Sequence, residues 1–252
     1  MNRNGNDATT ILVTPVWNDS KRLAGYGADL ARELAARDSR IHWLIADDGS
    51  EPEEIPRLQA QLEEYRKTYP HVSLHLASHH NGKGSVIREA WAVHPEADWL
   101  SFADADGSVN APDMLDLIAH AVAHDQSTIG VRMTTESTRV QEGFLRGLRH
   151  RGFLLAVRLL LGFRTEDTQC GAKVIRGEDF RAVAPRLIEL GWAFDAEMLG
   201  ELHRAGYSWL EHPVNWVEKG ASRIRPWKDS ITMLISLIRI RRRIRGRTAD
   251  AP

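Results

Sequence analysis

The chain has 252 residues, 42% of them hydrophobic, enough for one large domain with a real core or for two small ones. Its 33 basic and 34 acidic residues leave a net charge of -1, which excludes a global electrostatic pull toward nucleic acid. A lone cysteine, Cys170, excludes an internal disulfide and fits a reducing compartment.

Residues 1–9 are polar and lack an apolar h-region, so they read as a disordered lead-in without a secretory signal. From residue 10 to about 131 short apolar runs alternate with helical spacing. "TILVTPVW" reads as a strand, and "KRLAGYGADLARELAARD" as a helix through Leu23, Leu30 and Leu34. "IHWLIADDGS" is a second strand ending in acids and a turn, followed by a helix that stops near Pro70. "VSLHLAS" is a third strand, with a helix starting at the glycines of "NGKGS". "WLSFADADG" is a fourth strand, "APDMLDLIAHAVAH" a helix with Pro112 in its first turn, and "STIGVR" a fifth strand. Such alternation predicts right-handed crossovers and an α/β, doubly wound, mostly parallel sheet.

After residue 132 the rhythm loosens. "RMTTESTRVQEG" reads as a mobile loop, residues 144–163 as a mixed basic and apolar helix, and "DTQCGAKVIR" as a turn into a strand. "GWAFDAEMLGELHRAG" is a further helix and "WLEHPVNWVEKG" a strand. Nothing resembles a linker. The expected organisation is a single domain over 10–226, in two halves (about 10–132 and 133–226), then a basic amphipathic helix and tail over 227–252. In that last segment Ile231, Leu234, Ile235 and Ile238 share helical spacing, and "RIRRRIRGR" (239–247) adds six arginines without an acid. This pattern is expected of a helix lying in a membrane interface, with arginines on anionic head groups. Packing against the core with a solvated basic tail is the alternative. No run reaches the roughly 18 apolar residues needed to span a bilayer, because Arg158 and Arg239 interrupt the two longest candidates. No aromatic platform accompanies the arginines, so nucleic-acid binding is not expected. The oligomeric state is left open.

The polar clusters "TPVWND", "DDGS", "HHNGKGS" and "DADGS" follow successive predicted strands. Helix capping explains one or two of them; all four at one sheet edge point to a ligand site, where open α/β sheets bind ligands. In "FADADGSVN" Asp104 and Asp106 lie two apart, so in extended chain both face one side. That spacing suits oxygen coordination of a hard divalent cation beside a diphosphate. The string also resembles the nucleophile motif of haloacid dehalogenase phosphatases, but that family places it on the first strand, and here three βα units precede it. An EF-hand match fails, because Phe102 stands where an acid is required. A non-catalytic adaptor whose acids only cap helices is the remaining alternative.

"TPVWND", "IADDGS", "NGKGSVIREAW", "ADADGS", "DTQCGAKVI", "WAFDAEML" and "VNWVEKGASRI" together resemble glycosyltransferase family 2, which has the GT-A fold, and within it the polyprenyl-phosphate branch that includes the dolichyl-phosphate glucosyltransferases. Two departures stand out: Ala172 replaces the branch's Phe in "DTQCG-Phe-Lys", and the N-terminal membrane anchor of eukaryotic relatives is not seen. The resemblance implies inverting transfer of a hexose, glucose from UDP-glucose as first choice, to a polyprenyl phosphate, with Mg²⁺ or Mn²⁺. A soluble sugar, protein or natural product as acceptor is the alternative. It further implies a protein of the cytoplasm, peripheral to the cytoplasmic membrane face.

By that resemblance Pro15, Trp17 and Asp19 line the nucleoside pocket, and Asp48 accepts a hydrogen bond from the base, with Asp47 beside it. Lys83 offsets diphosphate charge; Asp106 holds the metal, with Asp104 helping through the ribose or the metal's waters. Asp167 and Gln169 lie by the reacting atoms, Asp167 positioning acceptor or sugar or acting as a base. Arg139, Arg146, Lys219 and Arg223 are the candidates for the acceptor phosphate, and Trp192, Asp195 and Glu197 for the sugar pocket. Cys170 is expected to be a packed small side chain, not a nucleophile.

Overall fold

The computed structural model describes residues 8–37, 40–141, 143–219 and 226–249, with side chains except at 144–146, 226–230 and 247–249. The first half follows the expected alternation: β1 (Thr10–Val16), α1 (Ser20–Ala36), β2 (Ile41–Asp47), α2 (Ile55–Thr68), β3 (Val72–Leu76), α3 (Lys83–Ala92), β4 (Trp99–Ala103), α4 (Ala111–His124) and β5 (Thr128–Val131). The second half contains β6 (Val140–Gln141), α5 (Phe144–Leu161), β7 (Ala172–Arg176), α6 (Gly177–Val183), α7 (Phe194–Arg204), β8 (Leu210–Pro213), β9 (Trp216–Val217) and α8 (Pro226–Ala249).

Seven strands form one sheet in the order β3-β2-β1-β4-β7-β5-β8. All neighbours pair in parallel except β7, which runs antiparallel to both β4 and β5. The central strands are apolar on both faces because both faces are covered. Leu12, Trp43 and Ile45 pack with Leu23, Leu30, Leu58 and Met114 of α1, α2 and α4. Ile11, Val13 and Leu44 point the other way, against Val86, Trp91, Phe180, Phe194 and Leu199 of α3, α6 and α7. The doubly wound, mostly parallel sheet is therefore present.

Local chemistry sets the helix ends. The Asn110 side chain accepts the Asp113 amide at 2.8 Å, and Pro112 occupies the first turn of α4 where its missing N–H costs nothing. α8 is docked through Leu237 and Ile240, which are buried in the second core layer.

Four local expectations change. Residues 8 and 9 of the lead-in are tied down: Thr9 donates to Asp98 Oδ2 at 2.9 Å and its carbonyl accepts from Asp98 and Trp99; residues 1–7 lie outside the described residues. The loop after Arg132 is closed on itself, Thr135 bonding Thr138 at 2.8 Å, and leads into β6. The run expected as one strand over 209–220 splits, because β8 joins the main sheet whereas β9 pairs with β6. Finally α6 forms from "GEDFRAV", too short for periodicity to reveal, by burying Phe180 and Val183.

Candidate functional site

The β1–β2 ladder continues to Val16↔Asp47, but the β1–β4 ladder ends at Val13↔Phe102. β1 and β4 thus part at their C-terminal ends, where the strand order reverses, and a crevice opens. Pro15 lies past the last β4 pair, so its lack of an N–H forfeits no bond on that side.

On the β1–β2 side of the crevice, Trp17 stacks on His80 with ring centroids 3.9 Å apart, leaving an exposed aromatic wall. Asp19 precedes α1 and pairs with Arg22 at 3.4 Å. The two acids of "DDGS" differ in how far the fold engages them. Asp48 is buried and occupied: Oδ1 accepts from the Asn81 amide at 3.0 Å, Oδ2 from the Gly82 amide at 2.8 Å, and His80 Nδ1 lies 2.8 Å from Oδ2. It pins the chain that leads into α3, so its carboxylate is not open to a base. Asp47 is 1% exposed; Oδ2 accepts the Ser50 amide at 3.0 Å, whereas Oδ1 is buried without a hydrogen-bond partner. An orphaned buried acceptor is costly unless a ligand donor fills it.

Across the crevice, Asp104 and Asp106 follow β4. Lys83, the first residue of α3, places Nζ 2.8 Å from Asp104 Oδ1, 3.7 Å from Asp195 Oδ2 and 4.6 Å above the Phe102 ring. Burial works to lower the Lys83 pKa, but the Asp104 and Asp195 carboxylates outweigh it and hold the ammonium above the usual lysine range. Withdrawal from solvent raises the Asp104 pKa, Lys83 opposing and Asp106 adding to it. Asp106 Oδ1 accepts the Ser108 amide at 2.8 Å, which folds the turn through Gly107 at φ +62°. Two glycines make room here. A Cβ on Gly107 would meet the Tyr26 ring at 2.8 Å and Lys219 Nζ at 3.2 Å, and one on Gly171 would fall 2.2 Å from Asp104 Oδ2. Lys219 is thereby placed against the acidic turn. The Tyr26 hydroxyl is buried without a partner, and burial, then Asp104 and Asp106, push its ionisation upward.

The loop before β7 reaches the same edge because β7 is antiparallel: its start, not its end, lies beside the end of β4. The Asp104 amide donates to Gly171 O at 2.9 Å. Within this loop Asp167 is fully buried. It grips Arg132, with Nε–Oδ2 at 2.6 Å and Nη2–Oδ1 at 3.0 Å, and its Oδ1 also accepts the Gln169 and Cys170 amides at 2.8 and 3.0 Å. Burial alone would raise its pKa; Arg132, then His150 and Lys173, bring it down to about 2. A carboxylate so engaged is a poor proton acceptor. Gln169 turns its amide toward Met233 Sδ of α8 at 3.7 Å. Burial pushes the Cys170 thiol up to about 12, as befits a packed, unreactive side chain.

The remaining expected residues divide. Asp195 is buried between Lys83 and Lys173, the latter 3.0 Å away, and Trp192 stands exposed with its ring 5.9 Å from Lys83 Nζ. Glu197 points away from the crevice, to the Ile188 and Glu189 amides at 2.8 and 2.7 Å and to Arg243 at 2.7 Å, which removes it from a sugar pocket. Arg139 folds back on its own loop, donating to Thr135 O at 2.5 Å and Thr138 O at 3.0 Å. The Arg146 side chain and Arg223 lie outside the described residues. Sequence reasoning missed Arg132, Lys173 and Tyr26. Lys173 left a signal, a lysine inside the apolar strand "AKVIR"; it is fully buried and also donates to Cys170 O at 2.7 Å.

Among the described residues no three His, Cys, Asp or Glu side chains cluster as a complete metal cage. Asp104 and Asp106 still fit Mg²⁺ or Mn²⁺, which take one or two carboxylates and complete their shell with substrate phosphate and water. Oxygen donors at a crevice, with an ammonium beside them, suit a metal–diphosphate pair.

The sequence matches the profile of Glycosyl transferase family 2 over residues 11–182, a span that includes Asp47, Asp48, Asp104, Asp106 and Asp167. The chain belongs to glycosyl transferase family 2. It is thus a glycosyltransferase. Among curated relatives, the Dictyostelium discoideum dolichyl-phosphate beta-glucosyltransferase is 26% identical over 243 residues, covering 91% of this chain and 73% of the relative. The Saccharomyces cerevisiae enzyme of the same name is 29% identical over 246 residues with the same coverage, and the human one 26% identical over 244 residues. The glycosyltransferase also shares its fold with glucosyl-3-phosphoglycerate synthase from Mycobacterium tuberculosis, solved with Mn²⁺, UDP and glucosyl-3-phosphoglycerate. That match has a TM-score of 0.66 at 15% identity, over 94% of this chain and 80% of the synthase. The expected α/β GT-A fold and family are those found. No helix among the described residues is long and apolar enough to cross a membrane.

Proposed function

We propose that this glycosyltransferase moves glucose from UDP-glucose to dolichyl or a related polyprenyl phosphate, with inversion at the anomeric carbon. The observation that carries the reading is the meeting of Lys83, Asp104 and Asp106 at the mouth of the β1–β4 crevice in a family 2 chain. The names of the curated relatives support glucose and a dolichyl phosphate acceptor. The Mn²⁺ and UDP bound to the fold neighbour support a uridine donor and a divalent ion.

In this reading Trp17 offers a stacking face to the base and Asp47 Oδ1 accepts its N–H, the role first given to Asp48. Asp104 and Asp106 would hold the ion, Mg²⁺ or Mn²⁺, which would supply charge neutralisation for the departing diphosphate. Lys83 exchanges Asp104 for diphosphate oxygen. The acceptor phosphate oxygen forms the new bond to the anomeric carbon as the bond to UDP breaks, its electron pair leaving on the β-phosphate. A phosphate monoester brings about -1.5 to -2 charge at neutral pH, so no general base is required. Asp167, saturated by Arg132 and two amides, fits that economy by fixing the loop. Lys219 is the best placed of the acceptor candidates, beside Gly107; Arg146 and Arg223 remain candidates for the same phosphate, whereas Arg139 is engaged by its own loop.

The exposed stripe on α8 favours a lipid acceptor over a soluble one. Ile231, Leu234, Ile235 and Ile238 are 37–59% exposed, and Leu148, Leu155 and Leu159 of the adjoining α5 are exposed as well. Together with Arg239 and Arg242 they suit peripheral binding at an anionic membrane face. The test is incubation with a panel of nucleotide sugars, Mg²⁺ or Mn²⁺, and a short polyprenyl phosphate or soluble acceptors, with products weighed by mass spectrometry. A polyprenyl-phosphate hexose from UDP-glucose is expected; transfer only to soluble acceptors would reject the lipid assignment.

A further inference from the structure

The segment 187–192 between α6 and α7 has no regular structure, and it exposes Ile188, Leu190 and Trp192. An irregular apolar segment in solvent needs ties to hold one conformation, and this one is tied on both sides. Toward the crevice, Leu187 O accepts Arg88 Nη1 at 2.6 Å and Leu190 O accepts the Ser85 amide at 3.0 Å. Ser85 and Arg88 belong to α3, whose first residue is Lys83. The approach is close: a Cβ on Gly82 or Gly84 would lie 2.8 or 3.0 Å from Leu190 O.

On the other side the ties lead to α8. Glu197 Oε2 accepts the Ile188 and Glu189 amides, and Arg243 Nη2 bonds Glu197 Oε1 at 2.7 Å and Glu189 Oε1 at 2.6 Å. Two largely buried carboxylates share this one guanidinium, so its loss leaves them facing each other across the strap with nothing between. Arg243 differs in this from its neighbours in the basic run. Arg239 and Arg242 are exposed, and Arg241 donates to Leu159 O on α5.

The geometry points to Arg243 as a positioning residue for the donor diphosphate site, acting through the 187–192 strap on the start of α3 and hence on Lys83. The inference rests on the donor reading above, and it makes α8 part of the site's framework as well as its membrane face. Coupling of this kind spans about 5- to 150-fold in affinity.

The test uses the full chain as Arg243→Ala, Arg243→Lys, Glu189→Gln and Arg242→Ala, the last removing an arginine from the same helix without touching the strap. UDP affinity in Mn²⁺ is measured by calorimetry, and amide exchange is followed at Ser85 and residues 188–192. Arg243→Ala is expected to weaken UDP binding about tenfold and to speed exchange at Ser85, with Glu189→Gln intermediate and Arg243→Lys recovering part of both. Arg242→Ala is expected to leave UDP affinity and Ser85 exchange as in the parent and to weaken binding to anionic vesicles. Parent-like UDP affinity and exchange in Arg243→Ala would overturn the proposal. If the parent protein itself takes no UDP, the donor reading fails, and Ser85 exchange alone decides the tie: unchanged exchange in Arg243→Ala rejects it.

Discussion

Asp106 is half-buried and accepts the Ser108 amide. Asp106→Ala should therefore cut turnover by about 10²–10³-fold, the scale of losing one charge-stabilising group, while the unfolding midpoint barely moves. Steady-state kinetics and circular dichroism on the same sample check both halves; chelator should abolish activity and added Mn²⁺ restore it. Asp167 behaves in the opposite way. Its folded pKa, about 2, lies below the ordinary 3.8, so its contribution to stability is fully present above pH 4 and is lost as pH falls toward 2. Urea unfolding at stepped pH should show that decline, and Asp167→Asn should flatten it. Burial and partners separate these two acids.

At the level of elements, β7 decides how the site is assembled. In a wholly parallel sheet the loop before a strand lies at the edge away from the ligand; reversing β7 brings 167–171 against Asp104. Gly171 is the tight point. Gly171→Ala should displace the Asp104 carboxylate, weaken metal and UDP binding in calorimetry, and cost about 1–3 kcal/mol of stability as overpacking does. Unchanged UDP affinity in that variant would show that Asp104 takes no part in holding the donor. The motif "DTQCG" was legible as a marker of the family, but its place beside the acids was not, since strand direction follows from long-range pairing.

Over the whole molecule, α8 serves two faces. Leu237 and Ile240 belong to the core, so deleting residues 227–252 would damage the fold along with any membrane contact. Leu234→Glu with Ile238→Glu changes only exposed positions. That pair should lower affinity for anionic vesicles by tenfold or more, about what two partly buried aliphatic side chains contribute, while UDP affinity stays constant. Co-sedimentation at low and high salt measures it. Equal vesicle binding by parent and variant would remove the lipid surface from the account.

The alternation of strands and helices, and the acids placed at successive strand ends, needed no tertiary information. A strand buried on both faces must be apolar along its length, and the polar residues must wait for its end. By that logic the fold class, the sheet edge and the candidates Lys83, Asp104 and Asp106 could be read directly. The partner of each buried charge could not. Asp48 meets residues 81 and 82, Asp167 meets Arg132, Asp195 meets Lys83 and Lys173, and Glu197 meets Arg243. All of these partners come from other elements or loops of the chain, where no local period constrains them. Which carboxylate stays open to a ligand and which is consumed by the fold is settled only when those elements pack.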